Sequence, residues 1–298
     1  MSKTAEHDFS HLPPAAGRLG AAFARPKLVA AACVISLAAL GWLYLALMVA
    51  GMGDFGALGP GMGALDFFPR AIAALCRPMF GVAAGWSVSG VALVALMWAA
   101  MVLAMMLPSA APMIFTYAGI ADTAARKGER IVSPFVIAAG YTVVWLGFAL
   151  LATLTQLALT RAAMLDSGMV SASPLFAGAI FIGAGLYQFS ALKHACLTQC
   201  RQPFPFFFAH WETAPGGVFG LGLKQGLFCL GCCWAMMLVM FAVGVMNVIW
   251  MAALAIVMTL EKIGSGSRLT YGLGAALIAI GAGFVLVSFA AHWPAHAI

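Results

Sequence analysis

Three cysteines fall within five residues of one another in FCLGCCWAMMLVM: Cys229, Cys232 and Cys233, followed by Met236 and Met240. On a helix advancing about 100° per residue, Gln225, Cys229, Cys232, Cys233, Met236 and Met240 share an arc of about 100°. Thiolates and thioethers are soft ligands, suited to Cu(I), and thiolates also suit zinc and iron. One face of this segment therefore offers a line of sulfur atoms climbing about 16 Å. The opposite face carries Leu227, Leu230, Trp234, Leu238 and Phe241, residue types that face lipid or pack. A lone cysteine in such a helix is a small buried hydrophobe. Three of them with two methionines on one stripe read as a metal or redox site.

A second thiol pair, Cys196 and Cys200, follows in KHACLTQCRQPF, with His194 beside it. Spacing of four puts both thiols on one helical face, as a docking point for an ion or as the outer half of a site shared with Cys229. A surface-anchoring segment is the plainer reading. Met97, Met101, Ala104 and Pro108 share a face of another apolar segment, with Trp98 and Met105 at its edge. Such a stripe is ordinary core packing unless it complements the Cys/Met face. Met52 and Met62, in outer glycine-rich turns, are weaker candidates, and Cys33 and Cys76 are isolated. Glu261 is expected to pair with Lys262 or with a neighbouring basic loop. Tyr187, Gln188 and Gln156 sit within apolar spans and need interhelical hydrogen bonds.

The elements that must position these groups are membrane helices. The 298 residues are 64% hydrophobic and 8% charged, with a mean hydropathy of +1.02, which describes an all-α polytopic membrane protein rather than a soluble domain. Residues 1–27 read as a cytoplasmic tail rather than a secretory signal, and 28–291 as a single transmembrane helical domain. Seven spans are expected at 28–50, 89–107, 134–157, 174–192, 219–243, 246–260 and 269–291. The second is stopped by Pro108, with PSAAPMIFTYAG extending it in kinked form. Residues 51–87 form a glycine-rich and amphipathic outer loop, and 292–298 a short outer tail. The tight connection at 244–247 makes the fifth and sixth spans an antiparallel hairpin. With the N-terminus inside, twelve of the fifteen Lys and Arg residues fall on the cytoplasmic side and only Arg70, Arg77 and Arg161 outside, which fits an inner (cytoplasmic) membrane protein with its C-terminus outside.

The net charge of +6 is thus topological and not a sign of nucleic-acid binding. No span holds an Asp or Glu near its middle, which argues against a proton-driven carboxylate relay. No phosphate-binding glycine loop, phosphorylation segment or nucleophile elbow is present, and no residue is assigned a catalytic role.

The ordered set MWAAMVLAMMLPSAAPM, GYTVVW, AGLYQFSALKHACLTQCRQPF, GLKQGLFCLGCCWAMMLVMFAVGVMNVIWM and LEK resembles a bacterial domain-of-unknown-function family of predicted metal-binding integral membrane proteins. The resemblance covers residues 97–283. It implies a metal-binding membrane protein without naming the metal, and its motifs fall on Met105, Met106, Pro108, Cys196, Cys200, Cys229, Cys232 and Cys233. The expectation is a protein that holds or passes a soft ion, Cu(I) before zinc or iron. Cys229, Cys232, Cys233, Cys196, Cys200, Met236, Met240 and Met105 are the ligand set, and a metallochaperone or recipient metalloprotein is the partner. Two rival readings are a transmembrane dithiol-disulfide carrier and an assembly subunit whose cysteines merely pack.

Overall fold

The computed structural model describes residues 26–52, 59–62, 87–128, 131–166, 169–264 and 266–292. Most of the N-terminal tail, most of the outer loop with Cys76 and its amphipathic segment, and the last six residues lie outside that set. So does the side chain of Met52, and with it the Met52 and Met62 pair. Ten helices are present among the described residues: α1 Pro26–Met52, α2 Val88–Arg126, α3 Pro134–Arg161, α4 Pro174–Tyr187, α5 Ala191–Arg201, α6 Pro203–Ala209, α7 Pro215–Leu238, α8 Met240–Val243, α9 Val248–Ile263 and α10 Arg268–His292. Among the described residues five segments are long and apolar enough to cross a membrane, six if the bent α4–α5 pair counts as one. α9, at 16 residues, reaches only about 24 Å, less than the roughly 30 Å of a bilayer core.

α2 carries the extension expected through PSAAPMIFTYAG, and Pro108 does not stop it. It runs on through Pro108 and Pro112 to Arg126. A proline inside a helix strips a hydrogen bond from the carbonyl four residues earlier. For Pro108 that carbonyl belongs to Ala104, and the Trp42 indole N–H of α1 donates to it at 3.0 Å. The neighbouring helix thus supplies the missing donor, which is how interior prolines are tolerated in such bundles. The segment read as one span at 174–192, by contrast, breaks. α4 and α5 meet at 64°. The N–H groups of Gln188, Phe189 and Ser190 make tight three-residue-back bonds, and the Ser190 hydroxyl then caps α5 by accepting from the Lys193 N–H at 3.1 Å.

Small residues let helices approach backbone to backbone, since apolar attraction between helices is weak in lipid. α3 crosses α7 where Gly140 faces Gly222; a Cβ on Gly140 would fall on the Phe219 carbonyl and one on Gly222 on that of Ile137. α4 packs most extensively on α10, α3 on α7, and α1 on α2. α5 lies on α7, and α9 wedges against α2, α5 and α7. The turn at 244–247 is pinned by Gly244 at φ +110° and by the Asn247 side chain, which donates to Pro60 and accepts from the Trp250 N–H. The start of α9 thus lies beside the end of α8 while its far end reaches Cys229, the antiparallel arrangement the connection length implies.

Candidate metal centre

α7 presents its sulfur stripe inward. Cys229, Cys232, Cys233, Met236 and Met240 are all buried, each at most 2% exposed, while Leu227 on the other side is 58% exposed. The three thiols lie within 4.8 Å of one another. The Cys232 and Cys233 sulfurs are 3.3 Å apart. Sulfurs bonded to one ion at about 2.3 Å each stand roughly 3.8 to 4.6 Å apart, from tetrahedral to linear geometry, so the cluster needs only rotamer adjustment to close on an ion.

The 64° bend after α4 turns α5 across the end of this stripe. That brings Cys200 to 3.9 Å from Cys232 and makes a fourth thiol contiguous with the three. Cys196, one turn earlier, packs over Gly231, where a Cβ would collide with its sulfur. It remains outside the three-thiol group.

Two polar side chains from other helices complete the surroundings. The Tyr141 hydroxyl of α3 lies 3.0 Å from the Cys229 sulfur and 3.1 Å from the Met106 carbonyl of α2. Lys262, at the end of α9 and 8% exposed, donates from Nζ to the Cys229 sulfur at 3.0 Å and to the Ser109 hydroxyl at 2.7 Å. A buried ammonium needs a counter-charge, and no carboxylate lies within 4.0 Å of it among the described residues. Its neighbour Glu261 turns instead to Lys193 of α5, in a buried pair at 2.8 Å with side chains 2% and 0% exposed. Among the described residues the anion within reach of Lys262 is a thiolate, or a metal-thiolate complex.

Met236 lies one turn from Cys232 on the same face, and its sulfur accepts from Gln188 Nε2 at 2.9 Å. Met240 opens α8, beyond a break at Val239, and Met105 is buried in α2. Gln156 accepts from the Trp98 indole at 2.7 Å and donates to the Met169 sulfur at 3.2 Å. Tyr187 donates to the Gly231 carbonyl. The span-embedded polar groups therefore do carry interhelical partners. Type and spacing single out neither Tyr141 nor Ser109, and they offer Lys262 as a partner for Glu261 rather than for sulfur.

A buried cluster of soft donors backed by a cation suits an ion whose thiolate complex is anionic. Residues 95–284 match the model of the PpoB2 copper chaperones. The chain belongs to the PpoB2 copper chaperone family. None of the curated proteins and no solved structure matches it. The PpoB2 match spans every residue of the centre, from Ser109 on α2 to Lys262 on α9, and agrees in extent with the motif resemblance seen in the sequence.

Proposed function

We propose that this protein is a multi-pass carrier of the bacterial inner membrane, with its N-terminus cytoplasmic, that holds Cu(I) and delivers it to a recipient metalloprotein without itself performing catalysis. The ion sits at Cys229, Cys232 and Cys233. Cys200 is the thiol through which it is exchanged, Cys196 flanks that route, and Met236, Met240 and Met105 offer weaker thioether stations. The observation that carries this reading is the pairing of a buried three-thiol cluster with the buried Lys262 ammonium. Two thiolates on Cu(I) leave a single net negative charge, which Lys262 balances.

Elemental analysis of protein purified anaerobically in detergent, beside the Cys229/Cys232/Cys233 triple Ser variant, tests it. Near-stoichiometric copper lost in the variant is the expected result. Zinc or iron lost in the same way keeps the site and overturns the ion, and no metal in either sample after reconstitution with Cu(I) overturns both. The 3.9 Å approach of Cys200 to Cys232 also gives a dithiol carrier the facing thiol that it requires. A mixed disulfide trapped with a thioredoxin-like partner in a metal-free protein would favour that second reading.

A further inference from the structure

A buried metal cluster needs a way in. A cavity of about 540 Å³ opens between α2, α5, α6, α7 and α9, and its lining includes Cys200, Lys262 and Gln225. We infer that this cavity is a receiving site for a small anionic thiol that brings Cu(I) to Cys200, an inference that rests on the copper reading above.

Three features give the cavity its chemistry. First, it has a sulfur at its inner edge: Cys200 lines it and stands 3.9 Å from Cys232. An ion that reaches Cys200 from the cavity is one ligand exchange from the cluster. Second, it is cationic. Arg201 and Lys262 line it, and no Asp or Glu does among the described residues. Arg201 donates Nε to the Glu261 carbonyl at 2.8 Å and Nη2 to the Gly266 carbonyl at 3.0 Å. Carbonyls satisfy two of its five N–H bonds but leave its charge uncompensated. Third, Gln225 is 3% exposed and its Nε2 has no hydrogen-bond partner among the described residues. A buried amide donor costs free energy until something accepts from it, and a carboxylate in this cavity would do so. The Arg201 guanidinium, one unsatisfied donor and apolar walls including Met113 and Phe204 suit a carboxylate-bearing thiol. The volume suits a molecule of tripeptide size and excludes a folded domain.

The transfer is an exchange without redox change. The copper–sulfur bond to the carrier breaks as a copper–sulfur bond to Cys200 forms. The proton released by the Cys200 thiol goes to the departing carrier thiolate, and copper remains Cu(I) throughout. The same exchange then moves the ion from Cys200 to Cys232.

The test uses the full-length protein in nanodiscs and follows the rate of copper uptake from the Cu(I) complex of reduced glutathione, an anionic tripeptide thiol, and from the cationic Cu(I)–acetonitrile complex. Thr116, a half-buried residue that lines the cavity and whose hydroxyl donates to the Pro112 carbonyl of its own helix, is replaced as Thr116→Glu and Thr116→Lys. Uptake from glutathione should saturate with carrier concentration, slow about five-fold in the Glu variant and quicken in the Lys variant, a difference that salt erases. Uptake from acetonitrile should show the reverse order or none. Uptake from glutathione that fails to saturate, or that responds identically in both variants, would overturn the inference. Failure of the unmodified protein to take copper from acetonitrile would instead sink the copper reading itself.

Discussion

Lys262 is the residue on which the electrostatic account of the centre turns, and Lys262→Met removes its charge while keeping a chain of similar length. At 3.0 Å from the Cys229 sulfur, an ammonium and a thiolate attract by about 5 to 6 kcal/mol at an effective dielectric of about 20. Part of that attraction is already present in the metal-free protein, and copper spreads the negative charge over more than one sulfur. A net loss of about 2 to 3 kcal/mol on copper binding is therefore expected, which is about 30- to 150-fold in Kd. The assay is competition for Cu(I) against a chromophoric chelator, with thermal unfolding run in parallel to show that the variant is folded. Because the pair is buried, the unmodified protein's affinity should change little between low and moderate salt. Lys262→Arg keeps the charge on a bulkier head and should recover part of the loss. A folded Met variant that binds Cu(I) as tightly as the unmodified protein would refute the reasoning, because Lys262 would then be neutralised by something other than the metal-thiolate centre.

Glu261→Gln leaves Lys193 buried without a counter-charge and should lower stability by about 3 to 5 kcal/mol, read as thermal unfolding in detergent. The double variant Lys193→Met/Glu261→Leu should lose far less, because removing both charges removes the desolvation cost with them. Gly140→Ala forces α3 and α7 apart at the Phe219 carbonyl and should cost about 1 to 3 kcal/mol together with weaker copper binding, since the same shift draws Tyr141 away from Cys229. Gly147→Ala, on the same helix with nothing within 4 Å of the added carbon, should be neutral or stabilising by up to about 1 kcal/mol and leave copper binding alone.

The sulfur stripe was legible in the sequence because a helix converts spacing into a face, and the apolar side opposite it identified which way the face turns. The need of Gln156, Gln188 and Tyr187 for interhelical partners followed equally from polarity at depth. What the sequence reading missed came from helix ends and helix neighbours. Pro108 reads as a stop followed by a kinked extension because its missing N–H is a local fact, whereas the Trp42 indole that satisfies Ala104 comes from another helix. The bend after Tyr187 depends on Ser190 acting as a cap, and a serine inside an apolar run is a weak signal by itself. Cys200 could be placed on a face with Cys196 but not beside Cys232, since only the 64° turn carries it there. Adjacency offers Lys262 to Glu261, although consecutive residues on a helix point about 100° apart and do not face each other; the other partner expected of Glu261, a neighbouring basic segment, is the one found, in Lys193 of α5. That rule alone would have freed Lys262 for another partner.

The same 100° step makes the last turn of α9 intolerant of any change in phase. Glu261 and Lys262 are chain neighbours, yet one neutralises the cation of α5 and the other answers the sulfur of α7. Inserting or deleting one residue between the Asn247 turn and Glu261 would rotate both charges off their targets at once. Exchanging the two, as Glu261→Lys with Lys262→Glu, preserves composition, net charge and helix length, but sets an ammonium against Lys193 and a carboxylate against Cys229. The polarity of this dipeptide, rather than its content, is the information that α9 contributes.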